Sequence, residues 1–421
     1  MTETSLIVRP LATPAEYHLQ LMLADQEFSP NPSPESVERW QRFMTGLPDF
    51  RPEQLRGAFL GEQQTGGYMM YEREMRMGTA RISTGCIGIV VTHPEHRRQG
   101  VATTLMRDAI DFARSRNHAL LLLDGIPKFY YRYGYTDMLD LSVVEVDRSA
   151  ILAVPASNYS VRACTVDDAE ATLRLYNQQY GSYTGCFVRT LERQRYRLQT
   201  RSSPDVVALT PDGAVQGYLS GFDGNLVQEV AADNWEALLA LMQHHAVMFK
   251  ENNTPPATLR YRLPVHDRLV QWMLDHLEVP DTSHWQHPAE EWVLRAESYH
   301  HRHAGWMARI VHLPTLLQSI LPELQARWQR GLAQWNGRVV LAIGDELCAL
   351  HIDGRQITLG DPEHVTSGVE AIQITPQAFT QLLFGYRSVA QTISNASDEM
   401  LAVLSILFPT GHAWLASTDW F

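Results

Sequence analysis

Apolar and polar positions divide the chain into three stretches. In the first, residues 5–11 alternate apolar and polar, which predicts a strand. From Thr13 or Pro14 the period lengthens to that of a helix, with Tyr17, Leu21, Ala24 and Phe28 on one face. Ser33 followed by Pro34 predicts the cap and first residue of a second helix. Residues 57–61, 67–73 and 81–91 predict consecutive strands of a meander. Residues 98–114 predict a helix that turns Val101, Leu105, Ala109 and Phe112 inward, and 119–123 form a continuous apolar run, as in a central strand buried on both faces.

A second stretch starts near residue 150. Ser160-Val161-Arg162-Ala163 and the acidic helix start at 166–169 weakly echo Ile7-Val8-Arg9-Pro10 and residues 12–15. Residues 284–305 are polar and include His300, His301 and His303. They predict a hydrated linker. The alternative, a metal site, lacks ligand spacing on a helix or hairpin. After Trp306 the pattern changes again. Residues 307–330 read as largely helical, 338–343, 347–352 and 356–359 as hairpin strands turning at Gly344-Asp345 and Asp353-Gly354, and 375–384 and 399–407 as helices. A chain of 421 residues exceeds what one core of about 250–300 residues holds. Length predicts two or three domains, and the changes of pattern divide the chain into three, at 1–150, 151–298 and 299–421, in a mixed α+β fold.

Composition narrows the class. A hydrophobic fraction of 45% and a charged fraction of 19% are ordinary for a globular protein and argue against disorder, collagen or coiled coil. The longest apolar runs, at 119–123 and 400–408, fall short of the ~20 residues of a membrane span. MTETSLIVRPL lacks the basic and apolar regions of a secretion signal. Cys86, Cys164, Cys186 and Cys348 are far apart, so no zinc ribbon or redox pair is suggested, and a cytoplasmic protein with free thiols is expected. A net charge of −12 argues against general nucleic-acid binding and would tolerate a cationic substrate.

One stretch carries chemistry. A β-run ends near Thr92, the charged loop Pro94-Glu95-His96-Arg97-Arg98-Gln99 follows, and Gly100-Val101-Ala102-Thr103 opens a helix. Amide N–H groups at a helix start, the helix dipole and two arginines together suit a diphosphate, and Gly100 lets the backbone come close. The alternative is a basic turn at the start of a surface helix. No Gly-Lys-Ser/Thr and no G-x-G-x-x-G is present, so neither a nucleotide P-loop nor a dinucleotide fingerprint is supported.

The order of this β-run, the loop Arg97-x-x-Gly100-x-Ala102, the amphipathic helix, the buried run 119–123 and Phe129-Tyr130-Tyr131-Arg132-Tyr133-Gly134-Tyr135 resembles the GNAT acetyltransferases over residues 5–147. With Met307-Ala308-Arg309-Ile310-Val311 and the ending Ser417-Thr418-Asp419-Trp420-Phe421, the whole chain resembles the Eis (enhanced intracellular survival) family. The resemblance implies a GNAT domain, a degenerate GNAT-like domain and a sterol-carrier-protein-like domain. Here Tyr131 stands where Eis proteins commonly have a small glycine.

The resemblance also implies roles. Acetyl-CoA would lie between the strand ending near Thr92 and the run 119–123. The backbone of Val90, Val91 and Thr92 would pair with the pantetheine, Arg97, Arg98, Gln99, Gly100, Val101, Ala102 and Thr103 would hold the diphosphate, and Gly125 and Ile126 would line the far wall. Tyr130 would be the general acid, unless it is a packing tyrosine. The carboxylate of Phe421 would be the base, unless the two terminal aromatics are a structural plug. Asp25, Glu27, Phe28, Trp40 and Asp419 would bind the acceptor, unless they are solvated helix ends and core aromatics. No metal is implied. The acceptor would be a small-molecule amine, a polycation such as an aminoglycoside. The alternatives are a lysine of a protein or peptide, or a non-enzymatic carrier of apolar ligands through the third domain. A trimer or hexamer is implied, with no membrane or nucleic-acid partner.

Overall fold

A computed structural model describes residues 5–201, 205–249, 255–278, 292–331, 334–360, 371–411 and 413–421. Residues 1–4 of the N-terminal reading and 284–291 of the linker reading lie outside the described residues.

Thr13 caps the helix Pro14–Phe28, and Glu16 completes a capping box, as the Thr-Pro start predicts. Ser33 likewise caps Pro34–Met44. The meander is longer than expected: Leu55–Leu60, Gln63–Met77 and Ala80–Thr92 are antiparallel neighbours, with Leu6–Pro10 on the outer edge. Helix Val101–Ser115 then crosses over, so that Leu120–Gly125 runs parallel to Ala80–Thr92. The helix packs Val101, Leu105, Ala109 and Ala113 against Met70, Ile87, Leu121 and Leu123. The opposite face of the sheet is covered by Leu21 and Ala24 of the first helix and by Leu316, Ile320 and Leu324 of helix Leu313–Arg330.

Residues 307–330 are not one helix, contrary to the pattern-based reading. Gly305–Ile310 is a strand wedged between Leu120–Gly125 and Thr136–Asp137, and helix Leu313–Arg330 begins after His312. The physical reason is burial on both faces. Trp306, Met307 and Ala308 are all buried, so this short run lacks the alternation that marks a strand with one wet side.

A second seven-stranded sheet repeats the plan. Ser160–Ala163 is its outer strand, followed by Val206–Leu209, Val215–Asp223 and Leu226–Ala232 as an antiparallel meander. Helix Trp235–Val247 crosses over to Thr258–Tyr261, which is parallel to Leu226–Ala232. Two strands cross the divisions expected near 150 and 298: Leu141–Asp147 lies in the second sheet, and Gly305–Ile310 in the first. The exchange ties the two sheets together. The last sheet joins Gln356–Gly360, Glu346–Asp353, Gly337–Ile343 and Ile372–Ile374, and packs on helices Leu313–Arg330, Pro376–Leu383 and Asp398–Leu407.

Candidate active site

The two central strands of the first sheet pair only from Thr84 to Cys86 against Leu120 to Leu122. Beyond that they part. Opposite Tyr68 the strand Ala80–Thr92 carries an extra residue, because Gly67 pairs with Val91 but Met69 pairs with Gly88. Ile89 sits in this bulge at a φ of +56°. A β-branched residue in the left-handed region is strained, and the strain accompanies the turn of Val90–Thr92 away from the neighbouring strand.

That opening leads to a cavity of about 460 Å³. Val90, Val91, Thr92, Arg97, Arg98, Gly100, Val101, Ala102 and Thr103 line it. Gly100 is the N-cap of helix Val101–Ser115 at a φ of +85°, with no side-chain cap, and a Cβ there would meet nothing within 4 Å. The first-turn amides are therefore left for an outside acceptor. The second sheet offers the contrast: at the matching crossover Asn234 Oδ1 accepts from the Ala237 amide at 2.9 Å, so that helix start is occupied by its own chain. Three predicted donor-site residues are not in the cavity lining. The Gln99 side-chain amide donates to the Glu95 carbonyl at 2.9 Å, Ile126 is 62% exposed, and Gly125 packs against Tyr130 and Met307.

Tyr130 opens the turn Tyr130–Tyr133 just after Leu120–Gly125 and is buried between Phe129 and Tyr135. Burial, with help from Asp124 and Tyr133, pushes its phenol up to about 12. Tyr131 does not enter this packing; its ring stacks on His303 at 4.0 Å. The His303 and Ala304 amides donate to Asp137, so the histidine segment closes over the turn. His300 and His301 take other neighbours, Tyr386 and Gly305.

The chain end reaches the same gap from the other face of the sheet. Phe421 packs on Trp306, Tyr71 and Phe187, at ring distances of 5.1, 5.9 and 6.3 Å. A Cβ on Gly88 would lie 3.2 Å from the terminal carboxyl carbon, so the carboxyl group rests on the strand one residue before the bulge. Tyr130 belongs to the cluster under helix Val101–Ser115, and Phe421 to the opposite cluster. The parting of the strands is thus flanked by a phenol on one face and a carboxyl group on the other.

An anchor holds the chain end. Arg189 Nε donates to Asp419 at 2.8 Å, and its other nitrogens donate to Glu229 at 3.0 and 2.5 Å. Thr418 donates to the same Glu229, and Tyr176 donates to Asp419 at 3.0 Å. Burial alone would raise the Glu229 carboxyl, but the guanidinium charges of Arg189 and Arg197 outweigh it and hold Glu229 ionised, well below the usual carboxylate range.

Beside Phe421 lies a second cavity, of about 260 Å³, between helices Pro34–Met44 and Leu191–Thr200. Asp419 lines it, but Asp25, Glu27, Phe28 and Trp40 do not. Asp25 is buried and accepts from the Ser33 amide at 3.2 Å, which holds the connection between the first two helices. Glu27 lies at the donor cavity, where Arg97 donates to it at 2.7 Å. Trp40 donates to Ser29 at 2.9 Å and packs between Phe28 and Phe43, tilted to one ring and edge-on to the other, behind the cavity wall that Phe43 and Tyr71 form. The wall instead carries seven arginines. Composition hides them, yet a signal exists: Arg189, Arg193, Arg197 and Arg201 recur every fourth residue, and Arg193 and Arg197 share a face of helix Leu191–Thr200.

Residues 8–138 match the family described as acetyltransferase (GNAT) domain. The search of curated proteins found no match. Among solved structures, a probable N-acyltransferase from Enterococcus faecalis V583 is 18% identical with a TM-score of 0.74, covering 99% of this chain and 100% of its own. A GCN5-related N-acetyltransferase from Kribbella flavida is 16% identical with a TM-score of 0.73, covering 100% and 99%. Eis1 from Mycobacterium abscessus is 16% identical with a TM-score of 0.63, covering 99% and 100%. These likenesses extend the shared fold over the whole length.

Proposed function

We propose that this chain, an acyltransferase whose residues 8–138 form a GNAT acetyltransferase domain, transfers the acetyl group of acetyl-CoA to the amine of a small molecule. One observation carries the proposal: the terminal carboxyl of Phe421 lies against Gly88, beside the parting of strands Ala80–Thr92 and Leu120–Gly125. The uncapped start of helix Val101–Ser115, with Arg97 and Arg98, suits the diphosphate. The pantetheine would run along Val90–Thr92 and bring the thioester into the gap.

The amine lone pair then attacks the thioester carbon. An N–C bond forms, the C–S bond breaks, and its electron pair leaves on sulfur. The nitrogen loses a proton to the Phe421 carboxylate. Tyr130 is too weak an acid to give its proton away: a phenol at about 12 facing a thiol near 8.5 makes full transfer uphill by about 5 kcal/mol. Its neutral hydroxyl instead serves as a hydrogen-bond donor to the developing thiolate, which costs no desolvated charge.

The modest volume beside Phe421 favours a small amine over a lysine on a folded protein. Polycationic acceptors such as aminoglycosides, which the resemblance implies, gain little here, because Asp419 is already paired with Arg189 and the wall is rich in arginine. The C-terminal unit, proposed as sterol-carrier-protein-like, serves to deliver Phe421; its interior is filled by Leu341, Leu350, Phe379 and Leu404 among others. A homo-oligomer, trimer or hexamer, and a cytoplasmic location belong to the same proposal. Among the described residues no helix is long and apolar enough to cross a membrane.

The test is a peptide extension after Phe421, which turns the carboxylate into an amide. Thiol release should fall about 10²–10⁴-fold, the usual contribution of a positioned base, while acetyl-CoA affinity by calorimetry holds. Full activity of the extended protein refutes the assignment.

A further inference from the structure

We propose that the acceptor amine carries an anionic group, a carboxylate or a phosphate, which the arginine wall beside Phe421 binds. The inference rests on the acetyl-transfer reading above and adds the acceptor's chemical class.

Charge along the wall is one-sided. Its seven arginines face two anionic groups in the lining, Asp419 and the chain end. Some of the arginines are neutralised from behind. Arg189 is held by Glu229 and Asp419, and Arg201 pairs with Asp205. The others are underpaid in contacts. Arg73 and Arg193 share the single carboxylate of Asp49, at 3.4 and 3.2 Å. Among the described residues, Arg193 Nη2 is buried with no hydrogen-bond partner, as are Nε and Nη2 of Arg197, which pairs with Glu229 at 3.5 Å. Arg39 and Arg42 line the cavity with exposed side chains.

Leaving guanidinium N–H groups without acceptors in a half-desolvated wall is costly. The wall's own crowding shows the cost: burial and the neighbouring Arg73 pull Arg193 down to about 10. An incoming carboxylate or phosphate removes it by accepting from several donors at once, and the planar fork of arginine matches both oxyanions. A polycation would add positive charge to this wall and gain only Asp419, already satisfied by Arg189.

The same field favours the chemistry. An ammonium placed near several arginines has its pKa lowered, so the amine is more often neutral when it attacks. Binding the anion at the arginines fixes one end of the acceptor, while the amine lies toward Phe421 and the gap.

The experiment compares amines matched except in charge: 6-aminohexanoate, hexylamine and 1,6-diaminohexane, and phosphoethanolamine, ethanolamine and ethylenediamine. Thiol release is measured with acetyl-CoA saturating. Each anionic member should exceed its neutral and dicationic counterparts at least tenfold in kcat/KM, and the stronger of the two anionic arms identifies carboxylate or phosphate. Arg39→Gln and Arg42→Gln alter exposed side chains and should fold normally, yet shrink that preference severalfold; Arg193→Gln should shrink it further. Equal rates across a series, preference for the dication, no turnover of any anionic amine, or a preference unmoved by all three variants overturns the proposal. Calorimetry with acetyl-CoA separates the two readings. If the donor does not bind, the acetyl-transfer reading has failed; if it binds and the anionic preference is missing, only the present inference has.

Discussion

Substituting Gly88 by alanine isolates the position of the chain end from its chemistry. The added Cβ would lie 3.2 Å from the carboxyl carbon of Phe421 and 3.0 Å from a ring carbon of Tyr71. Ordinary carbon contacts are about 3.5–4.0 Å, so one neighbour must retreat by a few tenths of an ångström. Tyr71 is fully enclosed and packs on Phe43 and Phe421. The Phe421 carboxyl group, rather than the enclosed Tyr71 ring, is expected to shift. A shift of about 1 Å in a reacting group can cost 100-fold, so a displacement of about half that predicts a loss near tenfold in kcat. Overpacking should cost about 1–3 kcal/mol of stability. Steady-state thiol release and thermal unfolding of Gly88→Ala measure both, with acetyl-CoA titrated by calorimetry as the control, since Gly88 does not line the donor cavity. An unchanged kcat in a folded Gly88→Ala protein would show that the carboxyl group takes no part in the reaction.

Three further outcomes follow from the same geometry. Gly100→Trp should abolish acetyl-CoA binding without unfolding the protein: the side chain enters the open space over the helix start, and the left-handed φ of +85° costs only about 1–2 kcal/mol. Calorimetry decides, and unaltered affinity removes the diphosphate assignment. Tyr130→Phe should lower kcat about 10²-fold with acetyl-CoA affinity preserved, because it deletes one donor to the leaving sulfur and keeps the ring packed between Phe129 and Tyr135; an unaltered kcat makes Tyr130 a packing residue. Buried His245, whose Nδ1 meets the Tyr261 hydroxyl at 3.2 Å, is pulled from 6.5 down to about 4 by burial and then by His244. The unfolded chain takes up this proton below 6.5 and the folded protein does not until 4, so stability is fully present above 6.5 and should fall by about 3 kcal/mol between those values. Denaturant titrations across that window should flatten in His245→Leu.

Much of the fold could be read from pattern because its elements carry local signals. The two capped helices announce themselves by Thr13-Pro14 and Ser33-Pro34, and the loop before Val101 by its glycine and arginines. Gly305–Ile310 defied the pattern because its sides are both buried, and its place in the sheet depends on Leu120–Gly125, almost 200 residues earlier. The bulge at Ile89 was equally silent, since no glycine marks its positive φ. Register, rather than residue type, put the strained turn there.

The acceptor side shows the limit more sharply. The resemblance implies an acceptor role for Asp25 and Glu27 because both lie at the end of the first helix. Each instead satisfies a donor of its own chain, Asp25 the Ser33 amide and Glu27 the Arg97 guanidinium. Asp419 does enter the cavity, but Arg189 has already claimed it. In all three cases the carboxylate is present and its charge is spent. Net charge misleads for the same reason: −12 over the chain coexists with a wall of arginines where the chemistry would occur, because pairing happens locally and the surplus acids lie elsewhere. What a site can bind is set by the donors its own neighbours leave unsatisfied. Among the described residues those include guanidinium nitrogens of Arg193 and Arg197, brought beside Phe421 by helix Leu191–Thr200 of the second repeat. The second repeat, whose matching helix start is closed by Asn234, thus supplies Arg189, Arg193, Arg197 and Arg201 to a cavity that the first repeat lines with Arg39, Arg42 and Arg73.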